Sequence, residues 1–297
     1  MGYGTWTNSA YTDYAKTRGF NTVSINGVDT ISGDYSVQQL YHSHSLDNAL
    51  NPKGVIRECC DSDEHPNTIP VILALDVTGS MGNTAIRVAK KLNEIMTNLY
   101  EEIPDIQFMT MGIGDLAYDS APIQASQFEA DIRIAEQLEK IYFERGGGGN
   151  GYESYTAAWY FGLYHTKLDC WKRGKKGIII TMGDEALNPY LPKRQLARVT
   201  GDNVENDIET EALYNDVIEK FDVYHLAIKE SGNCYNMYRD RAIRTFTKYL
   251  NNGNFDEVNL DSLASVITNI IKNNVTNNGN GDAIEESFNM GFSEIAW

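Results

Sequence analysis

The stretch Ile69-Pro70-Val71-Ile72-Leu73-Ala74-Leu75-Asp76-Val77-Thr78-Gly79-Ser80-Met81 decides the fold. Its first seven residues form a continuous apolar run of the length of one strand, the pattern of a central strand buried on both faces. Directly after the polar turn, Ala85, Val88, Leu92, Ile95, Met96 and Leu99 recur at spacings of three and four. That periodicity predicts an amphipathic helix over Asn83 to Glu101. Strand, polar turn and helix in unbroken succession are the opening unit of an α/β sheet.

Working outward, Ile106 to Ile113 reads as a second strand, and Gln127 to Phe143 as a helix with Ile132, Ile134, Leu138 and Ile141 on its buried side. Gly146 to Gly149 with Asn150-Gly151 reads as a loop feeding a helix over Tyr152 to Thr166. Gly177 to Met182 is a further buried strand, ending in Gly183-Asp184-Glu185. A helix over Glu209 to Lys220, a strand over Val223 to Ile228, and closing helices over Asp240 to Leu250 and Asp261 to Lys272 complete the alternation. Residues 1–66, rich in Tyr, Ser, Asn and Gly, show only short extended pieces at Thr22 to Ile25 and Tyr35 to Tyr41 and read as an irregular arm or accessory layer. Aromatics Tyr3, Trp6, Tyr11 and Tyr14 suit packing onto the domain, with contact to another subunit as the alternative. The expected organisation is an arm over 1–66, one α/β domain over 67–275 and a loosely ordered tail over 276–297 that begins to loosen at Asn273, with Phe288, Phe292 and Trp297 available for docking. No internal repeat is visible.

Composition sets outer limits. The chain has 297 residues, 42% hydrophobic and 22% charged, with 7 Pro, as expected of a globular protein. No apolar stretch approaches the ~18 residues of a membrane span, and the N-terminus lacks the basic and apolar regions of a signal peptide. A cytoplasmic location follows as the expectation. Cys59, Cys60, Cys170 and Cys234 fit no zinc spacing, and the adjacent pair cannot easily form an unstrained mutual disulfide; reduced, structural thiols are expected. A net charge of −16 argues against nucleic acid, whose phosphates demand clustered Lys and Arg, and favours cations or a basic protein surface.

In an open α/β sheet the ligand site lies beyond the carboxyl ends of the central strands. Three polar segments fall there: Asp76 to Ser80, the loop from Gly146 to Ser154, and Gly183-Asp184-Glu185. Their hydroxyl and carboxylate oxygens are hard ligands, suited to Mg²⁺, Mn²⁺ or Ca²⁺, and sparse ligation completed by water favours Mg²⁺. An Asp at a strand end also caps the next helix in many proteins, so the motif gains its meaning from its placement.

The segment Leu75-Asp76-Val77-Thr78-Gly79-Ser80-Met81 resembles the metal-ion-dependent adhesion site of the von Willebrand factor A (vWA) family, Asp-x-Ser/Thr-x-Ser at the end of the first strand. The resemblance covers roughly residues 67–275. It implies a Rossmann-like vWA fold, with a mostly parallel central sheet, one antiparallel edge strand and helices on both faces. It also implies that Thr78 and Ser80 coordinate the metal directly, with Asp76 and Asp184 in the first or second shell. A metal held mainly by neutral hydroxyls keeps enough positive charge to accept a partner's carboxylate, which is the implied binding mechanism. The family's remaining Thr has no direct counterpart: Gly149-Asn150-Gly151-Tyr152-Glu153-Ser154 offers Glu153 or Ser154, with Thr156 slightly further on. This loop is similar to that of A domains fused to alpha-type kinases, although no kinase domain fits in the chain. Partners compatible with an intracellular A domain include a AAA+ ATPase, a kinase or a multi-subunit assembly.

The rival readings are an assembly subunit whose metal only rigidifies its loops and a Mg²⁺-dependent phosphatase. A haloacid-dehalogenase-type phosphatase needs a second acid two residues after its nucleophile, and that position is Thr78. Gly79-Ser80-Met81-Gly82-Asn83-Thr84 lacks the Lys of a phosphate-binding loop, and no nucleophile elbow is present. A non-enzymatic binding module is therefore the expectation. Asp115 and Asp119 could approach the same face, but a hairpin turn explains them equally well and they are left out of the site; His165 and His225 read as packing residues, and the His42-Ser43-His44 pair lacks a third ligand nearby.

Overall fold

The computed structural model describes residues 4–144, 150–230 and 233–279. Strand β3 (Ile69–Asp76) lies at the centre of a six-stranded sheet. Hydrogen-bonded in parallel to it are β4 (Ile106–Ile113) on one side and β6 (Gly177–Gly183) on the other. Beyond β6 come β7 (Phe221–Ile228) and β8 (Phe255–Val258), both parallel, and beyond β4 comes β5 (Ile123–Ala125), antiparallel at the edge. The order is β8-β7-β6-β3-β4-β5, a Rossmann-like sheet with the single antiparallel edge strand that the family resemblance implies. Pro70 has no N–H to donate, and β3 begins pairing with β6 only at Val71.

Alternation along the buried strands feeds two cores. Val71, Leu73 and Leu75 join one cluster with Ile178, Ile180 and Met182, while Ile72 and Ala74 join the other with Ile179. Helices α2 (Gly82–Tyr100) and α7 (Leu263–Gly279) cover the first face, α2 through the stripe Ala85, Val88, Leu92, Ile95, Met96 and Leu99. The second face carries α3 (Thr156–Tyr164), α4 (Lys193–Thr200), α5 (Thr210–Val217) and α6 (Tyr235–Tyr249). Among the described residues, no helix is long and apolar enough to cross a membrane. All four cysteines are free, with Cys59 and Cys170 buried.

The first third of the chain is more regular than its composition suggests. Helix α1 (Asn8–Thr17) is capped by the Thr7 hydroxyl, which accepts from the Ala10 amide, and buries Tyr11 and Ala15 one turn apart. Its buried face is mostly aromatic and hydroxylated, so no aliphatic stripe announces it. A hairpin follows, β1 (Asn21–Ile25) and β2 (Val28–Ser32), closed by Asn26-Gly27 with both residues at positive φ (53° and 84°), as a two-residue turn of the primed type requires. Trp6, Tyr11, Phe20, Ile31, Leu40 and Tyr41 join the core under α2. Of the two expected forms, irregular arm or accessory layer, this stretch takes that of a layer, built from a helix and a hairpin.

Other corrections have local causes. Tyr35 to Tyr41, expected extended, contains the helical turn Val37–Leu40, started by a capping box at Ser36 and Gln39. The helix expected over Gln127 to Phe143 is confined to Arg133–Leu138; Phe108 and Glu129 instead exchange backbone hydrogen bonds in a bridge beside the sheet. The helix expected from Tyr152 starts at Thr156, because Tyr152–Glu153 pairs as a short strand with Ala186–Leu187. Conversely, α6 starts at Tyr235, five residues before the expected Asp240, and β8 is an additional strand. Helix α7 continues past Asn273 because Asn274 bonds to Tyr224 and Ile270. Phe288, Phe292 and Trp297 lie outside the described residues, as does the Gly146 to Gly149 run.

Candidate functional site

Strands β3 and β6 are neighbours whose following segments pack on opposite faces of the sheet, and the carboxyl ends of such strands are where an open α/β sheet places its ligand site. Asp76 ends β3, and Gly183-Asp184 ends β6. The chain turns at Thr78 into the short Gly79–Met81 helical turn and then into α2, held by a bond from the Met81 amide to the Thr78 carbonyl. Ser80 is thereby placed beside Thr78, facing β6.

A hydrogen-bonded line of oxygens joins the two strand ends. The Thr78 amide (2.9 Å) and hydroxyl (2.6 Å) both donate to Asp76 Oδ1. Thr78 Oγ1 and Ser80 Oγ lie 3.3 Å apart, and Ser80 Oγ donates to Asp184 Oδ1 at 3.1 Å. Asp184 Oδ2 accepts from the Cys234 amide at 2.7 Å. Asp76, Thr78 and Asp184 are buried.

The third loop contributes Glu153, Ser154 and Tyr155 in different ways. Glu153 is buried, and its Oε2 has no hydrogen-bond partner. The Ser154 hydroxyl is turned to the Leu116 amide, from which it accepts at 3.0 Å. Thr156 pairs through its hydroxyl and amide with Asn188. The structure thus brings Asp76, Thr78, Ser80 and Asp184 into one bonded line, leaves Glu153 Oε2 buried without a partner, and commits the Ser154 and Thr156 oxygens elsewhere.

Electrostatics follow from burial among like charges. Burial, then the nearby Asp184, raises the Asp76 carboxyl well above the usual carboxylate range, opposed by hydrogen bonds from Thr78 and Tyr155. Glu153 is likewise raised well above its usual value, by burial first and then by Asp76, Glu185, Asp119 and Asp115. Burial also raises Asp184, against bonds from the Cys234 amide and Ser80. Glu185 is pushed up to about 7 by burial and by Asp184, Asp115 and Asp119, with Arg241 opposing, and its Oε2 also lacks a partner.

Residues outside the expected site also take part. Asp115, for which a turn and an approach to this face were both open, ties the loops together: its Oδ2 accepts from Asn150 Nδ2 at 2.6 Å and its Oδ1 from the Ala117 amide at 2.8 Å. Asp119 accepts from the Asp115 amide at 2.7 Å. Tyr155 donates to Asp76 Oδ2 at 2.8 Å and accepts from the Glu185 amide at 3.3 Å. Gly183 is the complement of that ring, since a Cβ there would stand 1.9 Å from Tyr155 Oη. The histidines lie apart from this line. His225 stacks on Phe246 and Phe255, His165 bonds to the Val55 carbonyl and Asp202, and His42 bonds to the Gln39 carbonyl.

Among the described residues, no group of three or more His, Cys, Asp or Glu is arranged to hold a metal ion by itself. The donor set at the strand ends is of another kind, two hydroxyls with flanking carboxylates. Such oxygens suit a hard divalent cation, and the partnerless, buried Glu153 Oε2 is an atom a cation would satisfy.

No protein-family model matches the sequence. No curated protein is a significant match either. Among solved structures, the chain is similar to the pilus adhesin SpaC from Lactobacillus rhamnosus GG in its open conformation. The TM-score is 0.50 at 14% identity, over 76% of this chain and 31% of SpaC. The chain thus spans about a third of the length of that adhesin. It also matches the vWF domain of the type V pili tip protein Mfa5 from Porphyromonas gingivalis, with a TM-score of 0.45 at 11% identity, over 74% of this chain and 99% of that one. The fold is vWA-like. At such identities the likeness is one of architecture, in accord with the sheet order and the antiparallel β5.

Proposed function

We propose that this chain is a metal-dependent protein-binding module. Thr78 and Ser80 hold a divalent cation, Mg²⁺ by preference, together with Asp76, Asp184 and Glu153. The observation that carries the reading is the line Asp76, Thr78, Ser80, Asp184, which draws oxygens from two strand ends together, with the partnerless Glu153 Oε2 two residues before the Tyr155 that bonds Asp76. A bound cation supplies a positive centre in a site that is otherwise acidic, and with neutral hydroxyls among its ligands it retains affinity for a carboxylate of a partner protein. Glu153 adds negative charge to the donor set and so moderates that affinity. The Gly-rich, Glu-containing loop is similar to that of A domains of the alpha-kinase-associated type.

The residues themselves position the oxygens. Asp76 orients the Thr78 hydroxyl, Asp184 orients Ser80, and the Cys234 amide fixes Asp184. A binding role fits the fold likeness to an adhesin, and Thr78 stands where a phosphatase of the haloacid-dehalogenase type would need a second acid. Four free cysteines accord with a reducing, cytoplasmic setting.

Thermal unfolding with and without millimolar Mg²⁺ or Mn²⁺, on the parent and on Asp76→Ala, tests the proposal. A ligand that binds only the native state raises its melting temperature by mass action. The parent is expected to shift and Asp76→Ala to shift far less. An unshifted parent overturns the cation site, and hydrolysis of generic phosphate esters abolished by Asp76→Ala would establish an enzyme instead.

A further inference from the structure

The geometry points to Tyr155 as a positioning residue for the candidate cation site: its phenol fixes the Asp76 carboxylate and thereby sets the affinity for the cation. This inference rests on the reading of the site given under Proposed function.

One side chain here touches all three loops. Tyr155 belongs to the third loop, immediately after Glu153-Ser154. It donates to Asp76 Oδ2 in the first at 2.8 Å and accepts from the Glu185 amide in the second at 3.3 Å. The ring is fully buried, packed at 4.8 Å from His225 and 5.7 Å from Phe246. Gly183 makes room for it, because any side chain there would meet the phenol oxygen.

The division of labour at Asp76 gives the arrangement its function. Oδ1 takes the Thr78 amide and hydroxyl, and Oδ2 takes the phenol. With Oδ2 held by the phenol, rotation of the carboxylate would break a hydrogen bond, so Oδ1 keeps the Thr78 hydroxyl as its donor and holds Thr78 Oγ1 3.3 Å from Ser80 Oγ. Removal of the phenol frees that rotation and leaves a buried carboxylate oxygen short of a donor. Outer partners that orient ligands in this way typically control cation affinity by 10–100-fold.

Tyr155→Phe keeps the ring beside Gly183 and removes only the hydroxyl. Titration of the melting temperature with Mg²⁺ and with Mn²⁺, alongside melting in chelator, separates the two contributions. The expected result is a cation Kd weakened about 10- to 100-fold. A purely structural role would lower the melting temperature in chelator and leave the Kd unchanged, and that result overturns the inference. A double variant with Asp76→Asn should be no weaker for the cation than Asp76→Asn alone, whereas an equal loss in both backgrounds also overturns it. Should Tyr155→Phe fail to fold, 3-fluorotyrosine at position 155 retains shape and hydroxyl while altering donor strength. A Kd changed by about twofold or more supports the inference, and an unchanged one overturns it. If the parent shows no cation-dependent shift, the cation site itself falls and Tyr155 with it; if the parent shifts and Tyr155→Phe matches its Kd, only the role of Tyr155 falls.

Discussion

Arg18, in the turn that ends α1, grips Glu139 at two points, Nε to Oε2 at 2.8 Å and Nη2 to Oε1 at 2.6 Å. Tyr14 adds a third bond at 2.8 Å. The pair fastens the N-terminal layer to the segment that follows the Arg133–Leu138 turn, 121 positions away. Burial by itself would raise the Glu139 carboxyl, but the bonds from Arg18 and Tyr14 outweigh it and hold the group below its usual range. A carboxylate depressed in the folded state stabilises fully above its unfolded value of about 4.3 and loses that contribution as pH falls through the folded value. Glu139→Gln should therefore cost about 1.5–3 kcal/mol at pH 7. The gap between variant and parent should narrow as pH falls through the folded value, as denaturant unfolding at several pH values will show.

Asn93 supplies the second fastening. Fully buried on α2, it accepts from Trp6 Nε1 at 2.8 Å and donates to Asn8 Oδ1 at 2.7 Å and to the Asp29 carbonyl at 2.6 Å. Asn93→Ala leaves these partners unsatisfied and should destabilise by about 2–3 kcal/mol. Limited proteolysis should then cut first within residues 4–35. Cuts distributed as in the parent would show that the layer is held by packing alone.

Glu153 and Ser154 are adjacent, but their substitutions should separate. Glu153→Gln removes a buried charge set among Asp76, Glu185, Asp119 and Asp115. It should raise the melting temperature in chelator while weakening Mg²⁺ binding at least about tenfold. Ser154→Ala strands the Leu116 amide and should cost about 1–3 kcal/mol with cation affinity unchanged. Cation titrations of the two variants side by side decide between these ligands.

Gly183→Ala should be among the most damaging single-methyl additions in the protein. Its Cβ would stand 1.9 Å from the Tyr155 oxygen and 2.6 Å from ring carbons, deep in the core where the ring cannot retreat. A loss of about 2 kcal/mol or more is expected, visible as a fall in melting temperature of about 4 °C or more. A variant melting within a degree of the parent would show that the ring has room to move.

The sequence alone determined the centre of the fold. An apolar run at Ile69 to Leu75 can be buried on both faces only by a central strand, and the three-and-four spacing after Ser80 can be satisfied only by a helix lying on it. Both are local patterns, so Asp76, Thr78, Ser80 and Asp184 could be placed at strand ends from the order of the chain. The hairpin was also written locally, in Asn26-Gly27, but its strands carry exposed Val23 and Ile25 and show no clean alternation of apolar and polar residues. Helix α1 carried no aliphatic stripe, since its buried face rests on Tyr11, Ala15 and hydrogen bonds to distant groups.

Tertiary structure decided the rest, because what remained depends on residues far apart in the chain. Which oxygen of the third loop stays uncommitted depends on where Leu116 and Asn188 present their donors to Ser154 and Thr156. Tyr155 meets Asp76 across 79 positions, and nothing in either local pattern encodes that meeting. Burial then sets the charges, for the same carboxyl groups that would titrate normally in water are driven upward once the sheet ends enclose them together. Sequence periodicity fixes which faces are buried; only the closed fold fixes which polar atoms are left without a partner.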